Sequence, residues 1–267
     1  MILRKAWAFI RRDFQIETSY SINFLITAAN SLFPLVLFFF VSQLVSSPGS
    51  LEQYGGDYFA YSLIGLAFTR YFQLALGSFS DSIQRAQVTG CLEAMLGSQT
   101  PAQVSVLLSS LYSLIVSALQ LALIFMVGVF VFGFDLSRMN LFSTGLVFML
   151  SLLIFLSFGI VSAACIVVLK KGDPLGWLLT SSNAILGGAF FPVDIMPGWL
   201  ERISNVIPAK YSLDALRMTI LRGEPVAAVS GQVLVLCGIA LVFVPLSIKL
   251  FLSSVEHAKR TGTLIQY

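Results

Sequence analysis

Few side chains in this 267-residue sequence have the company that covalent chemistry requires. There is no G-x-S-x-G, no H-E-x-x-H and no pair of acids inside an apolar run, and His257 is the single histidine. A nucleophile triad and a histidine metal site therefore lack their parts. No G-x-x-x-x-G-K-[ST] phosphate loop occurs, so nothing in the chain is built to bind and hydrolyse ATP. What stands out instead is charge in greasy surroundings. Arg70 sits within an apolar run, roughly 16–20 Å of helix from either Asp57 or Asp81 at 1.5 Å per residue. Snorkelling to water is difficult from there, and an arginine at that depth costs at least about 2.5–3.5 kcal/mol. It should face a protein or aqueous interior. It could meet an anionic group of a substrate or latch a neighbouring helix; equally, carbonyls and hydroxyls of the bundle could satisfy it. Tyr61, Tyr71 and Gln73 are its local candidates.

The elements that must position such a residue follow from composition. The chain is 57% hydrophobic and 11% charged, with a mean hydropathy of +0.88, where a soluble domain carries about 25% charged residues. Residues 18–51, 94–134, 139–169, 174–193 and 225–248 hold no charge at all. Runs of about 20 apolar residues are what a bilayer-crossing helix needs. The expected fold is an all-α membrane protein with six transmembrane helices, spanning about 22–45, 58–80, 104–133, 141–169, 175–191 and 227–251. Pro34 is expected to kink the first. Asp173-Pro174 reads as N-cap and first residue of the fifth helix, and Thr100-Pro101-Ala102-Gln103 as a capping box for the third. Gly159, Ser162 and Ala163 on the fourth span, and Gly187, Gly188 and Ala189 on the fifth, suggest close helix approach. Cys91, Cys165 and Cys237 make no disulfide framework, and reduced thiols are expected.

Residues 1–20 carry Leu3, Trp7, Ile10 and Phe14 on one helical stripe, with Arg4, Lys5, Arg11 and Arg12 off it. That is the pattern of an amphipathic helix lying in the membrane interface. Excluding Arg70, the termini and even-numbered loops hold Arg4, Lys5, Arg11, Arg12, Arg85, Lys170, Lys171, Lys249, Lys259 and Arg260. The opposite side holds Arg138, Arg202, Lys210, Arg217 and Arg222. The positive-inside rule then puts both termini in the cytoplasm.

Two connecting segments carry most of the information. In "DSIQRAQVTGCLEAMLGSQTPAQ", Val88, Leu92, Met95 and Leu96 form a short apolar stripe bracketed by Gly90 and Gly97. A helix this short is unstable alone in water, and without a basic cluster its partner is expected to be protein rather than lipid. In "AFFPVDIMPGWLERISNVIPAKYSLDALR", Trp199, Leu200, Ile203, Val206 and Ile207 share one helical face; Pro208 ends that helix and starts another. In the second, Leu213, Leu216 and Ile220 supply an apolar face. Lys210, Asp214 and Arg217 read as an exposed i, i+4, i+7 ladder. Two short amphipathic helices at the outer interface result. Spacing alone leaves open whether they gate a pathway or merely close a loop.

These two segments resemble a known family. "VTGCLEAMLGSQTPAQ" is similar to the "GTLE-x-L…TP" segment that follows the second span in type 2 ABC exporter permeases; Cys91 stands where that family more often has leucine. "GGAFFPVDIMPGWLERISNVIPAKYSLDALR" resembles their signature between spans five and six, with its FFP lead, PGW helix start and P-x-x-Y-x-x-D-x-x-R helix. The resemblance covers nearly the whole chain. It implies a non-catalytic permease subunit working as a dimer, homodimer or paired with a paralogous permease, together with two copies of an ABC ATP-binding subunit. The chain itself would bind no cofactor, metal or nucleic acid; ATP and Mg would sit on the partner. Val88, Gly90, Leu92, Glu93, Met95 and Leu96 would be the coupling helix that docks on the ATPase. Phe191, Pro192, Pro197, Trp199, Pro208, Tyr211, Asp214 and Arg217 would form the outer gate. Arg70 and Phe190 would lie on the substrate path.

The expected function is export of a hydrophobic or amphipathic substrate such as a drug, lipid or lipid-linked glycan across the plasma (inner) membrane of a prokaryote. A polysaccharide exporter of the same class is the alternative. An ion-coupled secondary transporter fits less well, because internal repeats and membrane acids are missing.

Overall fold

The computed structural model describes residues 7–8, 10–11, 14–15, 21–44, 57–88, 102–169 and 173–260. Among these the regular elements are all helical, without a strand. The elements are α1 (Ser21–Leu44), α2 (Tyr58–Val88), α3 (Ala102–Phe130), α4 (Leu141–Leu169), α5 (Pro174–Leu186), a 3₁₀ turn (Val193–Ile195), α6 (Gly198–Ser204), α7 (Pro208–Leu221) and α8 (Ser230–Arg260). The described residues of the amino-terminal segment are helical, and Trp7 and Phe14 are exposed. Among the described residues three helices are long and apolar enough to cross a membrane: Ser110–Phe130, Leu141–Val168 and Ser230–Ala258.

Polarity decides which helix goes to the middle. α2 carries Ser62, Thr69, Arg70, Gln73, Ser78 and Ser80 along its length, and such a face cannot be turned toward lipid without cost. It is accordingly enclosed by α1, α3, α4, α5 and α7, and every residue from Phe59 to Thr69 is buried. The long apolar stretches of α3 and α8 leave large side chains such as Leu119, Met126, Leu234 and Leu241 exposed on the rim. Rings fill the space between. Phe72 stacks on Phe155 at 4.4 Å between centroids, Phe68 meets Phe125 and Phe148 edge-on, and Phe158 meets Phe243 edge-on. Much of the phenylalanine content thus faces inward.

Small residues set the closest approach. The expected role of Gly159 is seen directly: a Cβ placed there would lie 2.4 Å from the Leu76 carbonyl oxygen, so α2 and α4 touch backbone to side-chain-free backbone. Hydroxyls dispose of themselves locally or pair across helices. Ser78 and Ser157 donate to carbonyls one turn back, whereas Ser151 on α4 donates to Ser212 on α7 at 2.8 Å.

Local signals hold where they were strong. Asp173 is the N-cap of α5, accepting from the Gly176 amide at 2.7 Å and from the Ser162 hydroxyl, with Pro174 opening the helix. Pro208 opens α7 in the same way. The capping box at Thr100–Gln103 begins outside the described residues. In the α3–α4 connection, the Ser137 amide and hydroxyl hold the Asp135 carboxyl below the usual carboxylate range. Helix α1 continues through Pro34 and α8 through Pro245.

The fifth element departs from expectation. The apolar run to residue 191 reads as one span, yet the helix stops at Leu186. Thirteen residues rise only about 20 Å, short of a ~30 Å hydrocarbon core. Gly187 and Gly188 break it, and Gly188 has φ +71°, a conformation that side-chain-bearing residues rarely adopt. The greasy residues beyond therefore form a turn, not a helix end.

Replacing Gly159 by leucine would force α2 and α4 apart against backbone that cannot yield. A loss of about 1–3 kcal/mol is expected, read as a lowered unfolding midpoint in detergent, while Gly145→Leu, whose position is open, should leave it nearly unchanged.

Candidate functional site: a carbonyl turn held by Tyr58, Tyr61 and Arg217

The turn after α5 exposes three consecutive carbonyls toward α2, and each is met by a side chain distant in sequence. Tyr61 donates its hydroxyl to the Gly188 oxygen at 2.9 Å, Arg217 donates Nη2 to the Ala189 oxygen at 2.8 Å, and Tyr58 donates its hydroxyl to the Phe190 oxygen at 3.2 Å. Irregular backbone survives at such a place only when its polar groups find partners inside the protein. The guanidinium also lies over the Tyr61 ring, its Cζ 3.4 Å from the centroid, and makes longer contacts of 3.4 Å to the Tyr61 carbonyl. A desolvated cation over an aromatic face contributes about 2 kcal/mol or more.

This arrangement corrects the ladder expected for Lys210, Asp214 and Arg217. Arg217 is not exposed: its relative accessibility is 0%. The i, i+7 spacing puts it on the flank of α7 that carries Leu213 and Leu216, and the carbonyl turn supplies the acceptors that let it stay there. Lys210 instead donates to the Asn205 Oδ1 at 2.6 Å, and Asp214 is half-buried. Tyr61, a candidate partner for Arg70 by sequence, serves Arg217.

Helix α7 is a wedge. Leu213, Leu216 and Ile220 are buried as expected, and the helix packs on α2, α4, α5 and α8. Thr144 Oγ1 pairs with Thr219 Oγ1 at 3.1 Å, and the Asn140 amide donates to the Thr219 carbonyl at 3.0 Å. Pro208 is buried and Tyr211 ties the preceding turn by donating to the Asn205 carbonyl at 2.7 Å. Pro192 is buried, whereas Phe191 and Pro197 lie at the surface. The companion helix α6 turns its tryptophan outward: Trp199 is 65% exposed, and Val206, just past the helix, 78%. The reason is how α6 is seated: it meets the bundle through Ser204, which is buried and donates to the Leu186 carbonyl, so the tryptophan face points outward.

Sequence reasoning missed Gly65. A Cβ there would fall 1.8 Å from the Ala189 oxygen and 2.7 Å from the Arg217 Nη2. The turn and the arginine reach each other only because α2 has no side chain at that point. A glycine inside a long helix, one turn after a tyrosine, was the available signal.

The substrate-path candidates come together elsewhere on α2. Arg70 and Phe190 line one cavity of about 200 Å³, with Asn30 and Phe38 of α1 and Thr69 and Gln73 of α2. Phe38 and Phe190 stack with centroids 5.0 Å apart and planes 8° apart. Of the coupling candidates, Val88 is the last residue of α2. Gly90, Leu92, Glu93, Met95 and Leu96 lie outside the described residues. Among the described residues no cluster of His, Cys, Asp or Glu could hold a metal, and Cys165 and Cys237 are free.

A helical bundle with long apolar helices, a polar central helix and a broken fifth element fits a membrane protein. The chain belongs to the ABC-2 type transporter family, whose family model matches residues 4–221. That match takes in α1 to α7, including the clamp and the Arg70 cavity. No curated protein matches the chain significantly.

Breaking the clamp should be graded. Tyr61→Phe keeps the ring under the guanidinium but loses one hydrogen bond, about 1 kcal/mol. Arg217→Met strands the Ala189 carbonyl and abolishes the ring contact, about 3 kcal/mol or more, with Arg217→Lys between the two. Equilibrium unfolding in mixed micelles measures the series, and a double-mutant cycle of Tyr61→Ala with Arg217→Met should show coupling rather than additivity.

Proposed function

We propose that this chain is the membrane subunit of an ATP-driven exporter, crossing the plasma membrane of a prokaryote six times with both termini in the cytoplasm. Two copies form the pathway, each served by an ABC ATP-binding subunit that carries the ATP and Mg. α1, α2, α3, α4 and α8 are full crossings, and α5 with its turn makes the remaining one. The segment at 82–99 docks on the ATPase, and α6 with α7 closes the far end of the path. The cargo is hydrophobic or amphipathic.

One observation carries the reading. The two segments that resemble exporter permeases are joined by a single uninterrupted helix. α2 holds the Gly188 turn and Arg217 at Tyr61 and runs without a break to Val88, where the coupling segment begins. Thirty rises of 1.5 Å make a strut of about 45 Å. A push on its far end moves the clamp, the turn and α7 together, because each is bonded to α2 directly. ATP binding that draws the two motors together would then be felt at the opposite face as displacement of the wedge. The absence of a phosphate loop in the sequence fits a motor on a separate chain.

Purification from the native membrane should bring down an ABC ATP-binding subunit in equal amount, and reconstituted transport should require ATP. Flux driven by a proton or sodium gradient without ATP would overturn the reading. Leu92→Asp or Met95→Asp should abolish transport while leaving the assembled ATPase able to turn over. Wild-type transport by both variants would remove the coupling assignment.

A further inference from the structure

We infer that the cavity beside Arg70 is a binding subsite for the oxyanion head, phosphate or carboxylate, of an amphiphile whose tail lies against Phe38 and Phe190; the site deepens the export reading by giving its cargo a charge. Arg70 lies about 18 Å along α2 from Tyr58. No aspartate or glutamate is among the residues that line the cavity. Arg70 and the neighbouring Thr69 both line it, and their Nε and Oγ1, enclosed behind the cavity surface, have no hydrogen-bond partner. Asn30 and Gln73 complete a donor set on two helices. Arg217 donates to the Ala189 carbonyl and lies over the Tyr61 ring, while Arg70 lines a space of about 200 Å³.

The shape of the lining selects the ligand. A guanidinium meets phosphate or carboxylate through paired, charge-assisted hydrogen bonds, and an amide and a hydroxyl can donate to the remaining oxygens. A free anion would leave the stacked Phe38–Phe190 wall without a use. Ligand cavities that swallow a drug-sized molecule run to about 300–1,000 Å³, so this one accepts a head rather than a whole lipid, the tail following the apolar wall outward.

The test uses the full-length chain in nanodiscs of phosphatidylcholine, with radiolabelled dodecyl phosphate as probe and no nucleotide or ATPase present. Saturable binding is expected. Arg70→Gln should weaken it at least tenfold, Arg70→Lys less, and Asn30→Asp, which brings a carboxylate to the cavity, should also weaken it. Dodecanol and inorganic phosphate should each compete at least tenfold more poorly than unlabelled dodecyl phosphate. Equal binding by wild type and Arg70→Gln, or equal competition by dodecanol, would overturn the site. Inorganic phosphate competing as well as dodecyl phosphate would overturn the amphiphile. Should Arg70→Gln fail to run as a single species on gel filtration, Asn30→Asp decides, and undiminished binding there overturns the proposal. Because no ATP enters the assay, a chain that binds the probe but is driven by an ion gradient sinks the export reading alone.

Discussion

Three backbone carbonyls that would otherwise go unsatisfied organise this molecule. The chain leaves α5 after thirteen residues and turns through Gly188 in the left-handed conformation, which removes the carbonyls of Gly188, Ala189 and Phe190 from any helix ladder. Lipid offers no donor to replace the lost bonds. Two tyrosines one helical turn apart on α2, and an arginine from α7, supply them instead. The turn can exist only where those side chains reach it. They reach it only because Gly65 leaves room, and Arg217 can be buried only because the turn is there to receive it. Each part is costly without the others, so the clamp behaves as one unit.

From that unit the placement of the remaining elements follows. α7 must lie along the first turns of α2 to bring Arg217 to Tyr61, and it then meets α4 with Ser212 and Thr219, whose hydroxyls pair with Ser151 and Thr144. α6 is left outside, tethered at Ser204 with its tryptophan exposed. α2 becomes the axis of the bundle because its polar residues are costly to expose to lipid. Arg217 has one carbonyl within 2.8 Å and an aromatic face at 3.4 Å, a contact set that depends on geometry at the level of a few tenths of an ångström. A small rotation of α2 would therefore alter the energy of the whole clamp.

The all-helical fold was legible because its signals are periodic and local. Asp173-Pro174 and Pro208 act through the adjacent turn, and they mark α5 and α7 where expected. Gly159 meets α4's neighbour as its small size suggests. What failed were readings that depended on tertiary partners. Hydropathy extends through Gly187–Phe191 without a break, so it cannot show that the helix ends at Leu186; only the φ of Gly188 and the donors on α2 decide that. The spacing of Lys210, Asp214 and Arg217 matches a solvated ladder, and an arginine is ordinarily exposed. Its burial is intelligible only once the carbonyl turn is seen opposite it. The outward face of α6 had the same cause in reverse: amphipathicity identifies an apolar stripe but not what it will face. Of the site residues, Arg70 and Phe190 were brought together as grouped, although the feature linking them, the stacked Phe38 and the cavity, lay on an element far off in sequence.

The two arginines of the core show how one residue type takes opposite roles in one bundle. Both are long and permanently charged, but Asp214 lies three residues before Arg217, whereas the acids nearest Arg70 in sequence, Asp57 and Asp81, are more than ten residues away. Arg217 comes from a short wedge and ends against the Ala189 and Tyr61 carbonyls. Arg70 comes from the axis itself and points where α1 stands off from α2, leaving space in place of acceptors. The bundle thus engages one cation with its own backbone and an aromatic ring, and holds the other beside a cavity. Since the first fixes the turn that carries Phe190, and Phe190 walls the cavity of the second, the structural arginine shapes the place where the other is exposed.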